Sequence, residues 1–247
     1  MRKRLISLCM VLVLCLSLLP VTVLAASSSY VALGDSITTG YGLGEGEQSF
    51  AEIIAKEKGY TLDDTLAADG ATSEELLDVV KDPEKADTLK DAKLITITIG
   101  GNDLMGALYQ FLADKYNETN DPDIIAKDVQ DALAGKEGTS ELQSALIGVA
   151  TSAIGDFAKS NAASIITAIK TVNPNVTIIV ANQYNPYSYA AKEATGFTAI
   201  LATTVANAFE AGVQALNTVI TAGAAYYQVA DVYESFQTAE ENPCNAS

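Results

Sequence analysis

Leu94-Ile95-Thr96-Ile97-Thr98-Ile99-Gly100-Gly101-Asn102-Asp103-Leu104 reads as a strand, a glycine turn and a helix start in succession. The first six residues are of strand length, rich in β-branched side chains and bounded by turn residues. Val176 to Ala181 repeats the pattern downstream, and Tyr30 to Leu33 repeats it upstream, running directly into Gly34-Asp35-Ser36. Weaker strands are expected near Leu62 to Ala67 and over Tyr227 to Val232.

Helical patterns fill the intervals. Phe50 to Lys58 has apolar Phe50, Ile53 and Ile54 and stops at Gly59. Thr72 and Glu75 have capping-box spacing, so a helix is expected to start just after Gly70. Leu104 to Val172 is too long for one crossover and is expected to hold two or three helices, the last capped by Ser140 and Gln143 and running towards Asn173-Pro174. Ala199 to Ala222 reads as another long helix. Strands alternating with helices imply parallel pairing with helices on both faces, hence a three-layer α/β/α sandwich. Ligands of such sheets gather at the carboxyl ends of the strands.

Three successive strands end in residues suited to acyl chemistry. Ser36 follows the first, with Gly34 permitting a tight turn, so its hydroxyl can meet a substrate carbonyl. Gly70 follows the second, where a backbone N–H beside a helix start can donate to an oxyanion. Asn102 follows the third, with a neutral carboxamide that can also donate. Each site taken singly also fits a helix cap or a plain turn. Thr38 stands where the Gly-x-Ser-x-Gly elbow needs glycine, so that esterase design does not fit.

Taken in order and spacing, Val31-Ala32-Leu33-Gly34-Asp35-Ser36-Ile37-Thr38 with Gly40 and Gly42, then Gly70, then Ile97-Thr98-Ile99-Gly100-Gly101-Asn102-Asp103, resemble three signature blocks of the GDSL (SGNH) hydrolases, and the similarity extends from about Tyr30 through Asp231-Val232-Tyr233. The resemblance implies a five-stranded parallel sheet of flavodoxin-like order and hydrolysis of acyl esters through an acyl-enzyme. It implies Ser36 as nucleophile and an oxyanion hole made of the Ser36 and Gly70 N–H groups and the Asn102 side chain. Asp35 and Asp103 match motif positions and are assigned to loop scaffolding.

The last block of that family, Asp-x-x-His, has no counterpart, because the 247 residues contain no histidine. A serine hydroxyl is a weak nucleophile without an adjacent base. The expectation is a chain truncated before that block, without its own base and therefore inactive as given, with a non-catalytic exported binding protein as the alternative. Lys192 and Glu193 are the other bases considered, both read as an exposed helix start.

Composition sets the remaining expectations. Residues 1–25 read as a signal peptide: Arg2, Lys3 and Arg4, an apolar run from Leu5 to Leu19, and Val23-Leu24-Ala25 before the cut. Residues 26–247 would form the hydrolase domain of a secreted protein without a stable membrane anchor. Cleavage removes three basic residues and no acidic ones from a chain of formal charge −16, and so acidic a surface disfavours nucleic acids and anionic lipids. Cys244 is left unpaired, and the acidic stretch Thr119 to Asp123 reads as a solvated loop. The sequons at Asn117, Asn175 and Asn245 are too short a pattern to carry weight. No metal-ligand spacing is present and no cofactor is implied; Gly40-Tyr41-Gly42-Leu43-Gly44 lacks the Lys-Ser/Thr of a phosphate loop, which weakens a flavodoxin-like cofactor binder. The expected substrate is a small-molecule or polysaccharide acyl ester.

Overall fold

The fold is given by a computed structural model that describes residues 28–116, 139–193 and 196–239. Five parallel strands, β1 (Ser28–Gly34), β2 (Tyr60–Asp63), β3 (Ala92–Thr98), β4 (Thr177–Ala181) and β5 (Gln228–Ala230), form one sheet in the order β2-β1-β3-β4-β5. This is the flavodoxin-like order expected from the sequence. β1 lies beside β3, with Leu33 opposite Ile97 and Gly34 opposite Thr98. The chain reverses its direction of winding between β1 and β3, which opens a crevice at their carboxyl ends.

The helices are α1 (Ser36–Thr39), α2 (Phe50–Lys58), α3 (Ser73–Lys81), α4 (Ala86–Lys90), α5 (Gly101–Tyr116), α6 (Thr139–Asp156), α7 (Ala162–Val172), α8 (Tyr187–Glu193), α9 (Gly196–Ala222) and α10 (Val232–Gln237). Local chemistry sets several of these starts. Ser49 and Glu52 close a capping box on α2, and Thr72 and Glu75 close one on α3 as the spacing predicts. A π-helical turn, Phe157–Asn161, joins α6 to α7.

The two faces of the sheet are covered unequally. On one, Val31, Leu33, Ile95, Ile97, Ile178 and Val180 join a continuous core with Leu76 and Val80 of α3, Ile165 and Ile169 of α7, and buried residues of α5, α6 and α9. On the other, Tyr30, Ala32 and Leu94 pack with Ala51 and Ala55 of α2 in a smaller cluster. That face also carries buried polar groups, and the Tyr30 hydroxyl meets the Thr96 hydroxyl at 2.7 Å.

Some element boundaries differ from the sequence reading. The second strand, expected near Leu62 to Ala67, is Tyr60–Asp63. Asp63 ends it by accepting from both the N–H and the hydroxyl of Thr65, a side-chain turn that competes with the ladder. The fifth strand is three residues long because Asp231 caps α10, which takes Val232 into a helix. Ser140 lies inside α6, already helical at Thr139, so it does not cap that helix, and the run to Asn173 is broken by the π-turn. The long helix begins at Gly196, three residues before the expected Ala199. The leader 1–25, the acidic stretch 119–123, Cys244 and the sequons at Asn117 and Asn245 lie outside the described residues.

Gly34 is required by contact as well as by conformation. Its φ is +127°, and a Cβ there would stand 1.9 Å from the Thr98 carbonyl oxygen. Gly46 also has positive φ, +88°, but open space around it. Gly34→Ala is expected to destabilise the fold by at least about 3 kcal/mol in urea unfolding, against about 1 kcal/mol for Gly46→Ala.

Candidate active site

Ser36 is the first residue of α1, half-buried at the carboxyl end of β1. Asp35 caps that turn: its carboxylate accepts from the Ile37 N–H at 3.1 Å and from the Thr98 hydroxyl at 2.8 Å. Its own N–H donates to the Thr98 carbonyl at 3.1 Å. Thr38 donates to the Leu33 carbonyl at 3.0 Å and lies 2.7 Å from the Thr98 hydroxyl. Thr98 therefore ties both sides of Ser36 to the end of β3. Asp35 and Thr38 are buried and Ser36 between them is half-buried, so the tie holds the turn that carries the serine.

Gly70 sits in the next loop with φ +75°, exposed and two residues before the cap of α3. Ala68 N–H donates to the Gly34 carbonyl at 3.0 Å, and the Thr39 hydroxyl donates to Asp69. These two bonds join the Gly70 loop to the Ser36 turn.

Asn102 is half-buried in the first turn of α5. Its Nδ2 donates to the Ala71 carbonyl at 2.9 Å, next to Gly70. Asp103 beside it accepts from the Ser73 N–H at 2.9 Å and from the Ser73 hydroxyl, which in turn accepts from Asn161 Nδ2 at 2.8 Å. Asn102 and Asp103 are both helical and so do not cap α5. The Gly70 loop is thus bonded to the Ser36 turn through Ala68 and Asp69 and to the start of α5 through Ala71 and Ser73.

Asp35 is the perturbed group of this site. Burial pushes its pKa up to about 6, against the opposing hydrogen bonds from Thr98 and Ile37, and the charge of Asp103 adds to the rise. At the fifth strand, Asp231 is held below the usual carboxylate range by Asn182, whose Nδ2 donates to it at 2.8 Å, and by the Glu234 N–H.

The loop Asn182 to Tyr187 has its carboxamides bonded within the protein. Asn182 Oδ1 accepts from the Tyr233 N–H at 2.8 Å. Gln183 exchanges two backbone bonds with the Asn217 side chain, and Asn185 Nδ2 donates to the Ala206 carbonyl and to Glu210. Tyr184 stacks on Phe236 with ring centres 3.7 Å apart. These polar residues hold β4, α9 and α10 together. Lys192 is in the last turn of α8, not at a helix start, and its ammonium lies 4.5 Å from the Tyr189 ring centre.

Beside Ser36, a cleft of about 410 Å³ runs over the thinly covered face of the sheet. Ile37, Phe50 and Ile54 form one wall, Thr96, Thr98, Ile179, Ala181 and Ala230 the floor, and Tyr184, Val232 and Phe236 the far wall. Among the described residues, no group of three or more His, Cys, Asp or Glu is placed to hold a metal ion.

Sequence reasoning missed Thr38 and Thr98 as the residues that fix the turn. A signal existed in Thr96 and Thr98, which place two polar side chains on one face of the otherwise apolar run Leu94 to Ile99.

The sequence pattern of the GDSL-like Lipase/Acylhydrolase family matches residues 32–245. An uncharacterized protein, YpmR of Bacillus subtilis (strain 168), is 28% identical over 167 residues, 66% of this chain and 53% of that protein. The spore germination lipase LipC of Bacillus licheniformis is 33% identical over 91 residues, 35% of this chain and 43% of that protein. The chain spans about half the length of the curated relatives it matches. Among solved structures, an extracellular lipase from Streptomyces rimosus aligns with TM-score 0.55 at 20% identity, covering 85% of this chain and 82% of that one. The lipase Lip_vut3 from a goat rumen metagenome aligns with TM-score 0.54 at 20% identity, covering 87% and 85%. At these identities the likeness establishes the fold.

The raised pKa of Asp35 has a definite sign for stability. Its folded value of about 6 exceeds the ordinary 3.8, so ionisation costs more in the folded protein than in the unfolded chain. Its contribution is best below about pH 4, falls as pH rises to about 6, and is level above that. Asp35→Asn keeps an acceptor for Ile37 and Thr98 and removes the charge. Urea unfolding at pH 4 to 7 should show the variant gaining on the parent by on the order of 2 to 3 kcal/mol across that window.

Proposed function

This chain belongs to the GDSL-like Lipase/Acylhydrolase family, and on that premise we propose that it is an exported serine hydrolase that cleaves acyl esters of lipids or carbohydrates through an acyl-enzyme on Ser36. The observation that carries the reading is the set of bonds from Ala68 to Gly34 and from Asn102 to Ala71, which brings the ends of three strands to one place.

In this reading the Ser36 oxygen attacks the ester carbonyl, and its proton passes to a base. The carbonyl oxygen gains the negative charge. Donors for that charge are the N–H groups of Ser36 and Gly70 and the second N–H of the Asn102 carboxamide, the first being held by Ala71. Asp35 already takes the Ile37 N–H, so the Ser36 amide is left at the open end of the turn. Collapse of the tetrahedral adduct expels the alcohol, which takes up a proton, and water then releases the acid by the same path in reverse. The 247 residues hold no histidine, so the base is a different group or a residue outside them.

Asp35 serves as scaffold in this scheme. Its carboxylate is engaged by Ile37 and Thr98 on the buried side of the turn. Residues 1–25 direct export, in keeping with the basic and apolar segments at the start of the chain.

The protein expressed from its whole reading frame should be labelled on Ser36 by a fluorophosphonate and should hydrolyse short p-nitrophenyl esters. Ser36→Ala should abolish labelling and lower kcat/KM by about 10³-fold or more, and Asn102→Ala should lower kcat by roughly 10²-fold to 10³-fold. A folded protein that neither labels nor hydrolyses would turn the reading to a non-catalytic exported binding protein, the alternative favoured by the missing histidine.

A further inference from the structure

The π-turn between α6 and α7 sets the position of one polar side chain. Phe157, Asn161, Ile165 and Ile169 recur every fourth residue, and the three apolar ones pack into the core of the well-covered face. An α-helix advances about 100° per residue, so a spacing of four drifts by about 40° at each step. The wider turn over Phe157–Asn161 takes up part of that drift, which lets Phe157 and Ile165 share one core with Asn161 between them. Single π-turns inside helices are rare and are frequent at functional sites.

Asn161 immediately precedes α7 but makes no side-chain capping bond to it. Its Nδ2 donates instead, across 88 positions of chain, to the Ser73 hydroxyl at 2.8 Å. Ser73 is fully buried at the start of α3, and its single hydroxyl proton goes to the Asp103 carboxylate. A hydroxyl that has given its proton can only accept, so a partner on its other side has to be a donor. The Asn161 nitrogen supplies that hydrogen, and an oxygen in its place would not.

Asp103 takes both the N–H and the hydroxyl of Ser73, and Asn102 beside it gives one carboxamide hydrogen to the Ala71 carbonyl at 2.9 Å. Two adjacent residues of α5 thus grip the segment from Ala71 to Ser73 at two points. With the Ala71 bond alone, the Asn102 carboxamide could pivot about it; the second grip fixes the first turn of α5 against that segment and so aims the remaining hydrogen. We propose that Asn161 is a positioning residue for this oxyanion donor: it holds the Ser73 hydroxyl on Asp103 and thereby sets the second N–H of Asn102. The proposal rests on the serine hydrolase reading and adds to it a residue that acts through Ser73 and Asp103, with no contact to the reacting atoms.

The test is a double-mutant cycle on p-nitrophenyl acetate hydrolysis by the protein expressed from its whole reading frame. Asn161→Ala should lower kcat about tenfold and leave KM within about twofold, because the donor it aims works on charge that forms in the transition state. In an Asn102→Ala background the same change should cost less than about twofold, since the aimed group is gone. Asn161→Asp keeps the shape and, when ionised, has no hydrogen for Ser73, so it should lose at least as much as Asn161→Ala. It carries the comparison if circular dichroism shows that Asn161→Ala has lost the fold. An undiminished kcat, a loss carried by KM, or an equal loss in the Asn102→Ala background would overturn the proposal, the last by making Asn161 a plain tie between α7 and α3. Unfolding of both Asn161 variants would overturn it in the same way. Hydrolysis by the parent with unmoved variants removes the positioning role and keeps the hydrolase, whereas a parent that neither hydrolyses nor labels with a fluorophosphonate removes both.

Discussion

The bond between Thr98 and Asp35 is the constraint on which the site depends. It joins the turn after β1 to the end of β3, and the same threonine meets Thr38 on the far side of Ser36. The close approach is possible because Gly34 has no side chain to strike the Thr98 carbonyl. A serine on a four-residue helical turn would otherwise fray, since so short a helix has almost no hydrogen bonds of its own. Here its position is fixed by two central strands, the stiffest part of the sheet.

The uneven layers explain where the polar residues went. On the well-covered face Val31, Leu33, Ile95, Ile97, Ile178 and Val180 are apolar, and the helices bury them. On the other face, Thr96 and Thr98 replace aliphatic residues and use their hydroxyls to bind Tyr30, Asp35 and Thr38. Polar groups there are satisfied by one another, so they cost little to bury. The same economy governs the Asn182 to Asn185 loop, where Asn182 accepts from the Tyr233 N–H and the Asn217 carboxamide bonds both backbone groups of Gln183.

Much of this was legible in the sequence because it depends on short-range chemistry. The period of apolar residues and the spacing of Thr72 and Glu75 gave α3 and its cap, and the strands at Tyr30, Leu94 and Val176 were visible as β-branched runs bounded by turns. Parallel pairing followed from the alternation of elements, and the strand order from the family resemblance. What stayed hidden depends on residues far apart in the chain. Thr98 looks like any strand threonine until it is opposite Gly34, and Asp63 shows its turn only once β2 has paired with β1 and used up the register. Ser140 failed as a cap because a serine with a glutamine three residues on occurs within helices too. The site residues were found from motifs, and the ties between their loops were not, since each tie crosses some thirty to sixty positions.

The threonine pair also has only two protons to share among three bonds. With Asp35 ionised, Thr98 gives its proton to the carboxylate, and Thr38 must then choose between Thr98 and the Leu33 carbonyl. With Asp35 neutral, the carboxyl proton can go to Thr98, the Thr98 proton to Thr38 and the Thr38 proton to Leu33, so every link is made in one direction. A single protonation therefore reverses the link between Asp35 and Thr98, and the acid form of Asp35 completes a circuit that its anion leaves one hydrogen short.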